Sequence, residues 1–464
     1  MKKGTRCTIC TGCGRCFGDA AFKTQIISFS GAESVPSGTL SGPVICADIG
    51  TTTIAMICCD EHGQVLDSYV QVNPQGKYGA DVISRIKAAS DPDALCDMKK
   101  LVEEELRKGI ARFLGVLSER MQNGTVPAES GLTADGADGM AIDVAGHRAA
   151  DAAIDMACGG ACGVVRVFIS ANTTMSYLLL GLDPSELGEA PFQASHLNGG
   201  TFRLSLYGTE SIEAVLLPGL SAFVGSDITA GILASHLCGS EKYRLLCDLG
   251  TNGEIALGNR DHLYVTATAA GPAFEGGPCK GIWGADMISF AAVLLGEGIM
   301  DGTGLLADPY FDEGITIGSA VVTQESIRAL QLAKGAMNAG IRILKDRAGI
   351  SYDDIEVCIL AGGFGYYLKP EDAAHIGLIP EELIPVCKTG GNTSLMGALE
   401  YASLTDQVCT ASSNGSLSGP APAEAKDGCI RLPSSLLPPC TVINLAEESG
   451  FNDLYMSALN FENI

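Results

Sequence analysis

Two acidic glycine turns in this chain could bind a phosphate tail. They are Asp48-Ile49-Gly50-Thr51-Thr52-Thr53 and Asp248-Leu249-Gly250-Thr251-Asn252-Gly253, and each follows an apolar run with the length of a buried strand. Glycine lets a ligand approach the backbone, amide N–H groups and threonine hydroxyls donate to phosphate oxygens, and a carboxylate can hold Mg²⁺ through water. A single turn of this kind is also common in ordinary hairpins. Two of them predict a duplicated fold that grips one nucleotide between its halves.

A third glycine motif follows late in the chain, where an apolar run at residues 357–361 leads into Gly362-Gly363-Phe364. The two turns and this motif, in this order, resemble the actin, sugar-kinase and hexokinase superfamily, in which two phosphate loops face each other and a late glycine pair contacts adenosine. A glycine-rich loop at residues 270–277 is expected beside the nucleotide. The predicted ATP-binding residues are Gly50, Thr51, Thr52, Thr53, Gly250, Thr251, Asn252, Gly253, Gly271, Gly276, Gly362, Gly363 and Phe364.

Three carboxylates are candidate catalytic groups: Asp48, Asp248 and Glu254. Carboxylates do not favour direct contact with phosphate oxygens. We therefore expect the two aspartates to act through Mg²⁺ and its waters, or to orient the attacking water. Glu254 and Glu275 could polarise that water, and a surface salt bridge is the alternative for both.

Four cysteines near the start of the chain stand three residues apart: Cys7, Cys10, Cys13 and Cys16. Their surroundings are not apolar, which argues against four core cysteines, and the intervening glycines permit a loop around one metal centre. The spacing is close to that of bacterial ferredoxins but departs from it at the fourth cysteine and lacks the proline that follows. We predict an iron–sulfur cluster of the [4Fe–4S] type, with a structural zinc ion as the alternative.

Composition excludes several classes of function. The formal net charge of −24 argues against nucleic acid as a partner, because phosphate backbones need basic surfaces. No apolar stretch reaches the length of a membrane span, and the first six residues lack the apolar region of a signal peptide. We therefore expect a cytoplasmic protein with reduced cysteines. Cys46, Cys247 and Cys358 lie in apolar strands and are predicted to be core residues.

Hydrophobic periodicity and turn residues predict an α/β chain of duplicated actin-like (ribonuclease H-like) lobes. Helices are expected from Val82, at about 97–120, after Asn172 as a cap, and from Gln324 with Thr323 as its cap. The predicted domains are a cysteine loop at 1–20, a linker at 21–43, a first lobe at 44–214 with an insertion at about 121–160, a second lobe at 215–405 and a C-terminal extension at 406–464. Three cysteines of that extension, Cys409, Cys429 and Cys440, are expected to be free thiols.

Further motifs resemble one family, the ATP-dependent reductive activators of corrinoid proteins that accompany anaerobic methyltransferase systems. They include Asn73-Pro74-Gln75, residues 78–86, Asn172-Thr173-Thr174-Met175 and Pro191-Phe192, besides the turns above. The resemblance covers residues 44–405. It implies that ATP binding and hydrolysis drive one electron through an iron–sulfur cluster, so that a Co(II) corrinoid becomes Co(I). The implied partners are a corrinoid protein and a low-potential donor such as ferredoxin or flavodoxin, and a homodimer is considered. Known members carry a larger iron–sulfur module than the cysteine loop here.

Three other interpretations of the sequence remain open. The electron could go to a different low-potential enzyme, as in the dehydratase activators of the same superfamily. An ATP-dependent small-molecule kinase would need a substrate pocket and would leave the cysteine loop without a purpose. A nucleotide-dependent scaffold would hold zinc in that loop.

Overall fold

The computed structural model describes residues 40–123, 165–206, 211–250, 252–268, 270–275, 284–317, 320–362, 368–413 and 437–461. Within these ranges the chain divides into two compact units. The first unit consists of residues 40–234 and 394–413, and the second consists of residues 235–393 and 437–461. The predicted cysteine loop and most of the predicted insertion at 121–160 lie outside the described residues.

The first unit contains a six-stranded mixed sheet with the strand order β3-β2-β1-β4-β6-β5. Strands β1 to β3 form an antiparallel meander, β4 and β6 continue the sheet in parallel with β1, and β5 closes it antiparallel to β6. Almost all side chains of β1 are buried, as expected for a central strand. The strands are β1 (Val44–Ile49), β2 (Thr53–Cys59), β3 (Val65–Val72), β4 (Arg166–Ala171), β5 (Gly200–Ser205) and β6 (Ser211–Leu216).

Helices cover this sheet with their apolar sides. The long helix α2 places Leu106, Ile110 and Phe113 in the core together with Ile45 of β1. The helix was predicted at about 97–120 from the helical period of Leu101, Leu106, Ile110, Leu114 and Leu117, and its existence is confirmed, although it begins earlier than that periodicity indicated. The helices before the second unit are α1 (Val82–Ala88), α2 (Pro92–Asn123), α3 (Thr173–Leu180), α4 (Ser185–Gly188) and α5 (Ser226–Ala234).

The second unit repeats the plan of the first. Its sheet has the order β13-β12-β7-β8-β9-β14, in which β7 to β9 form an antiparallel meander and β12 and β13 run parallel to β7. The predicted duplication of an α/β lobe is thus confirmed. The strands are β7 (Tyr243–Leu249), β8 (Gly253–Gly258), β9 (Leu263–Thr268), β10 (Ile315–Ile317), β11 (Ala320–Val322), β12 (Ile355–Ala361), β13 (Cys387–Gly391) and β14 (Cys440–Val442).

Helix α8 is the main helix packed against this second sheet. It begins where predicted, because the Thr323 hydroxyl accepts from the Ser326 N–H and the Ser326 hydroxyl accepts in return from the Thr323 N–H. Leu330, Met337 and Ile341 of α8 join the core formed with β7 and β8. The remaining helices are α6 (Gly284–Gly296), α7 (Tyr310–Glu313), α8 (Gln324–Ala348), α9 (Pro370–His375), α10 (Thr393–Ser413) and α11 (Phe451–Ala458).

The division into units differs from the predicted domains in two segments. From Ser394 onward, α10 packs in the first unit, whereas the sequence motifs assigned residues up to 405 to the second lobe. The residues 437–461 pack in the second unit, where β14 pairs with β9 and α11 packs against α8. The units divide at 234/235, later than the boundary at 214/215 predicted from sequence.

The strand cysteines are core residues, as predicted. Cys46, Cys247 and Cys358 are fully buried, and burial raises the pKa of the Cys46 thiol far above its usual range. Cys440, by contrast, is a free and exposed cysteine, as expected. None of the helices in the part of the chain that the structure describes is long and apolar enough to cross a membrane.

Candidate functional site

The first acidic turn joins β1 to β2 and is closed by its own backbone. The Gly50 N–H donates to the Thr53 carbonyl oxygen at 2.9 Å. Asn73 secures the turn from the end of β3, since its side-chain amide donates to the Gly50 carbonyl oxygen at 2.8 Å and its N–H donates to the Thr52 carbonyl oxygen at 2.8 Å. The backbone of residues 50–53 is therefore held in one conformation by the protein itself.

A buried arginine supports the same turn from the side of α1. The Arg85 guanidinium donates to the carbonyl oxygens of Thr51 at 2.6 Å and Gly79 at 3.0 Å, and only 1% of the residue is exposed. Helix α1 is fixed at its start by Asp81, whose pKa is lowered because its carboxylate accepts from the Ser84 N–H. This role of Arg85 was not predicted from the sequence. The available signal was a basic residue within the motif at residues 78–86.

Asn172 connects the turn to helix α3. Its side-chain oxygen accepts from the Met175 N–H at 2.9 Å, which confirms the predicted cap. Its side-chain amide donates to the Thr51 hydroxyl at 3.1 Å. Asn172 therefore both caps helix α3 and contacts Thr51, a predicted nucleotide-binding residue.

Asp48, the candidate catalytic group of the first unit, lies at the end of β1 and is partly exposed. The Ser394 hydroxyl, in the first turn of α10, donates to Asp48 Oδ1 at 2.9 Å. Ser170 of β4 lies beside Asp48 in register, and its hydroxyl is 2.7 Å from that of Ser394. Neither serine was predicted from the sequence to lie at the site.

The second acidic turn joins β7 to β8. The Gly250 N–H donates to the Asn252 carbonyl oxygen at 3.1 Å, and Asp248 is partly exposed at the end of β7. Glu254 pairs with Asp248 across the two strands and is buried, with 6% of its surface exposed. Glu254 is therefore not a surface group.

Two predicted glycines of the second unit are required by packing within the protein. A Cβ at Gly253 would lie 2.2 Å from Met337 Sδ of α8, so glycine lets that helix approach the turn. Gly362 has φ +111° and a Cβ there would lie 2.3 Å from the Leu249 carbonyl oxygen. The end of β12 thus lies directly against the backbone that leads into the second turn. Gly271 has φ +67° and open space around the place where a Cβ would be.

Other predicted site residues lie outside the described ranges: Thr251, Gly276, Gly363, Phe364, Cys7, Cys10, Cys13 and Cys16. Within the described ranges no three His, Cys, Asp or Glu side chains are grouped so that they could hold a metal ion.

The two turns match each other in position and chemistry. Each follows the central strand of an equivalent sheet and places a partly exposed aspartate beside a glycine turn. Each turn by itself suits a phosphate group with Mg²⁺, because a water-mediated magnesium site needs few protein ligands and the backbone N–H groups of a turn attract anions.

The sequence matches two domains of one family. Residues 44–126 and 148–240 match the RACo middle region, and residues 242–281 and 277–414 match the C-terminal domain of RACo, the ASKHA domain. The corrinoid activation enzyme RamQ of Eubacterium limosum is 29% identical over 435 residues, 80% of this chain and 66% of that protein. The Co(II) methylated amine-specific corrinoid protein reductase of Methanosarcina barkeri is 24% identical over 277 residues, 48% of this chain and 49% of that protein.

A solved structure has a similar fold. It is a reductive activator for corrinoid, iron-sulfur protein, with a TM-score of 0.66 and 25% identity over 93% of this chain and 67% of that chain. The chain thus spans about two thirds of the length of the first relative and about half of the second.

Proposed function

Because the chain belongs to the RACo family through its middle and C-terminal domains, we propose that it is an ATP-dependent reductive activator of a corrinoid protein. It would return the cobalt of an inactive Co(II) corrinoid to the Co(I) state that accepts a methyl group in a methyltransferase system. The observation that carries this proposal is the pair of equivalent acidic turns, Asp48 with Gly50 and Asp248 with Gly250, in a chain whose relatives act on corrinoid proteins.

The two turns would bind the phosphates of ATP. The Gly50 and Gly250 N–H groups close their own turns, and these glycines would let the phosphates approach the backbone. The donors would be the Asn252 N–H and the hydroxyls of Thr51, Thr52, Thr53 and Thr251. Mg²⁺, when bound, would offset the negative charge of the phosphates, and Asp48 and Asp248 would hold it through its water ligands. Glu254 would polarise the attacking water. The adenosine would lie near Gly271, Gly276, Gly362, Gly363 and Phe364.

The redox centre is proposed to be held by Cys7, Cys10, Cys13 and Cys16. An iron–sulfur cluster there would pass one electron to cobalt, so that Co(II) gains one electron and the cluster loses one. A low-potential protein such as ferredoxin or flavodoxin would then reduce the cluster again. Each 59 mV of uphill potential costs about 1.4 kcal/mol for a one-electron transfer, and ATP hydrolysis would offset this cost.

Iron content tests the redox part of the proposal. Protein purified without oxygen is expected to contain iron and acid-labile sulfide, and replacing Cys10 and Cys13 by alanine is expected to remove both. Bound zinc with no iron would overturn the proposed redox centre and favour the structural alternative.

ATP hydrolysis tests the proposed role of the two turns. Asp48→Asn and Asp248→Asn keep the size of each side chain and remove its charge, and each is expected to lower the hydrolysis rate about 100-fold. Asp183→Asn changes an exposed carboxylate that caps a short turn in the first unit and serves as the matched control. Hydrolysis that is unchanged in both site variants would contradict the proposal.

A further inference from the structure

Two buried hydroxyl groups lie beside Asp48: that of Ser394 on helix α10 contacts the carboxylate, and that of Ser170 on strand β4 contacts Ser394. The Ser394 hydroxyl has a single proton, and it donates this proton to Asp48 Oδ1 at 2.9 Å. The Ser170 hydroxyl lies 2.7 Å from the Ser394 hydroxyl oxygen, and the carbonyl oxygens of Ala47 and Ser394 are also within its reach, at 3.2 and 3.3 Å. The contact between the two hydroxyls is the shortest of the three, and Ser170 can donate there because the Ser394 proton is given to Asp48. Ser170 is fully buried and Ser394 is 5% exposed, so bulk water does not compete strongly for these bonds.

Helix α10 is fixed firmly enough to hold Ser394 in place. A Cβ at Gly397 would lie 1.8 Å from the Ala230 carbonyl oxygen, so α10 and α5 are in backbone contact there. One turn further on, the ring of Tyr401 packs against that of Phe168, with centroids 6.2 Å apart. Near its end, the helix is joined to β4 by the ion pair between Asp406 and Arg166, with N···O at 2.6 Å. The Ser394 hydroxyl therefore belongs to a rigid part of the first unit.

The second aspartate stands in a different setting. Asp48 pairs in register with Ser170 of β4, whereas Asp248 pairs in register with Ala361 of β12, the equivalent strand of the second sheet. Alanine has no hydroxyl group and cannot take the place of Ser170. The duplication thus repeats the aspartate but does not repeat the serine beside it.

We propose that Ser394, oriented by Ser170, is a positioning residue that sets the rotamer in which Asp48 acts on the magnesium ion of bound ATP. This inference rests on the proposed function and assigns a role to two residues outside the phosphate turns. One oxygen of the Asp48 carboxylate is engaged by the serine, which fixes the direction of the other. The positive end of the α10 helix dipole adds to the stabilisation of the carboxylate charge.

Binding of a non-hydrolysable ATP analogue, measured by calorimetry with Mg²⁺ and with EDTA, tests the inference independently of catalysis. Ser394→Ala is expected to weaken binding about 10-fold when Mg²⁺ is present and to leave binding in EDTA unchanged, as for other residues that orient metal ligands. Ser394→Thr keeps the hydroxyl and should bind like the wild type. The matched control is Ser403→Ala, because Ser403 lies on the same helix, is fully buried, and among the described residues its hydroxyl has no hydrogen-bond partner.

The binding measurements distinguish a positioning role of Ser394 from the alternatives. If Ser394→Ala binds the analogue as tightly as Ser403→Ala does with Mg²⁺ present, the inference is wrong. It is also wrong if Ser394→Ala loses the same affinity in EDTA as with Mg²⁺, because that result would show a general disturbance of the fold. If Asp48→Asn weakens binding with Mg²⁺ and Ser394→Ala does not, only the positioning role fails. If the wild type does not bind the analogue at all, the proposed ATPase function and this inference fail together.

Discussion

The guanidinium of Arg85 and the carbonyl oxygen of Thr51 are joined by a hydrogen bond of 2.6 Å. A second hydrogen bond joins the same guanidinium to the Gly79 carbonyl oxygen, so one buried cation links the first acidic turn to the segment that precedes helix α1. Hydrogen bonds from charged donors are stronger than those from neutral ones, and burial makes the loss of such a donor costly. The conformation of the first turn therefore depends on a residue outside it.

Removing this cation is expected to destabilise the protein. Arg85→Ala leaves buried carbonyl oxygens without their donor and is expected to lower the free energy of unfolding by about 3 kcal/mol, measured by urea denaturation. Arg85→Lys keeps the charge but loses the planar fork, so an intermediate loss is expected. Lys87→Ala on the exposed side of the same helix should change stability little. An Arg85→Ala variant as stable as Lys87→Ala would contradict this account.

Gly362 is expected to tolerate no side chain. Gly362→Ala would bring a Cβ to 2.3 Å from the Leu249 carbonyl oxygen at φ +111°, so β12 would have to move away from the second turn. We expect a loss of more than about 3 kcal/mol in the free energy of unfolding. Gly349→Ala, at the end of α8, meets only the cost of φ +68° with nothing nearby, about 1 kcal/mol. Equal losses for the two variants would show that the close approach to Leu249 is unimportant.

The buried Lys334 is expected to make stability depend on pH. Its Nζ donates to the Asn460 carbonyl oxygen and lies 4.7 Å from the centre of the Phe461 ring, and burial lowers its pKa to about 7. Between this value and the ordinary pKa of 10.5 the unfolded chain binds more protons than the native protein. The free energy of unfolding should therefore rise with pH from about 7 to 10, by at most about 1.4 kcal/mol per pH unit from this group.

Lys334→Met removes the titrating group and should flatten that rise, as measured by urea denaturation at several pH values. Lys242→Met, which changes an exposed lysine of the same unit, should keep it. A Lys334→Met variant with the pH dependence of the wild type would refute the assignment to Lys334.

Thiol labelling should separate the core cysteines from the exposed ones. Among the cysteines that the structure describes, Cys96 is exposed and should react first with iodoacetamide at pH 8, as located by peptide mass spectrometry. Cys440 is exposed as a residue, but its surroundings desolvate the thiol and raise its pKa to about 11. About one thiol in a thousand is then ionised at pH 8, so Cys440 should react more slowly than Cys96. Cys46 and Cys247 should react only after unfolding. Labelling of Cys247 in the native protein at the rate of Cys96 would show that β7 is open to solvent.

The elements around the turns could be predicted because their signals are local. A buried strand, an aspartate and a glycine in sequence specify where β1 ends, and Thr323 three residues before Ser326 specifies where α8 begins. Asn172 was predictable as a cap for the same reason. Its contact with Thr51 was not, because that contact depends on how α3 packs beside the first turn.

The contacts that hold the candidate site were not predictable because they join distant parts of the chain. Ser394 and Asp48 are 346 positions apart, and nothing in the residues around Ser394 indicates that α10 returns to the first unit. The return depends on a close helix crossing at Gly397 and an ion pair at Asp406, which a single sequence displays only as a glycine and an aspartate. Because the lobes were assigned from the order of motifs along the chain, residues 394–405 were predicted to lie in the second lobe, although they pack in the first unit.

The measurement that tests the central proposal most directly follows the oxidation state of cobalt. Protein purified without oxygen would be mixed with a Co(II) corrinoid protein and a reduced low-potential donor, and the paramagnetic Co(II) signal would be followed by electron paramagnetic resonance. We expect the signal to disappear when ATP is added, and to persist with no nucleotide or with Asp248→Asn. A Co(II) signal that persists with ATP, in a protein that holds iron and hydrolyses ATP, would contradict the proposed acceptor and direct the electron to another enzyme.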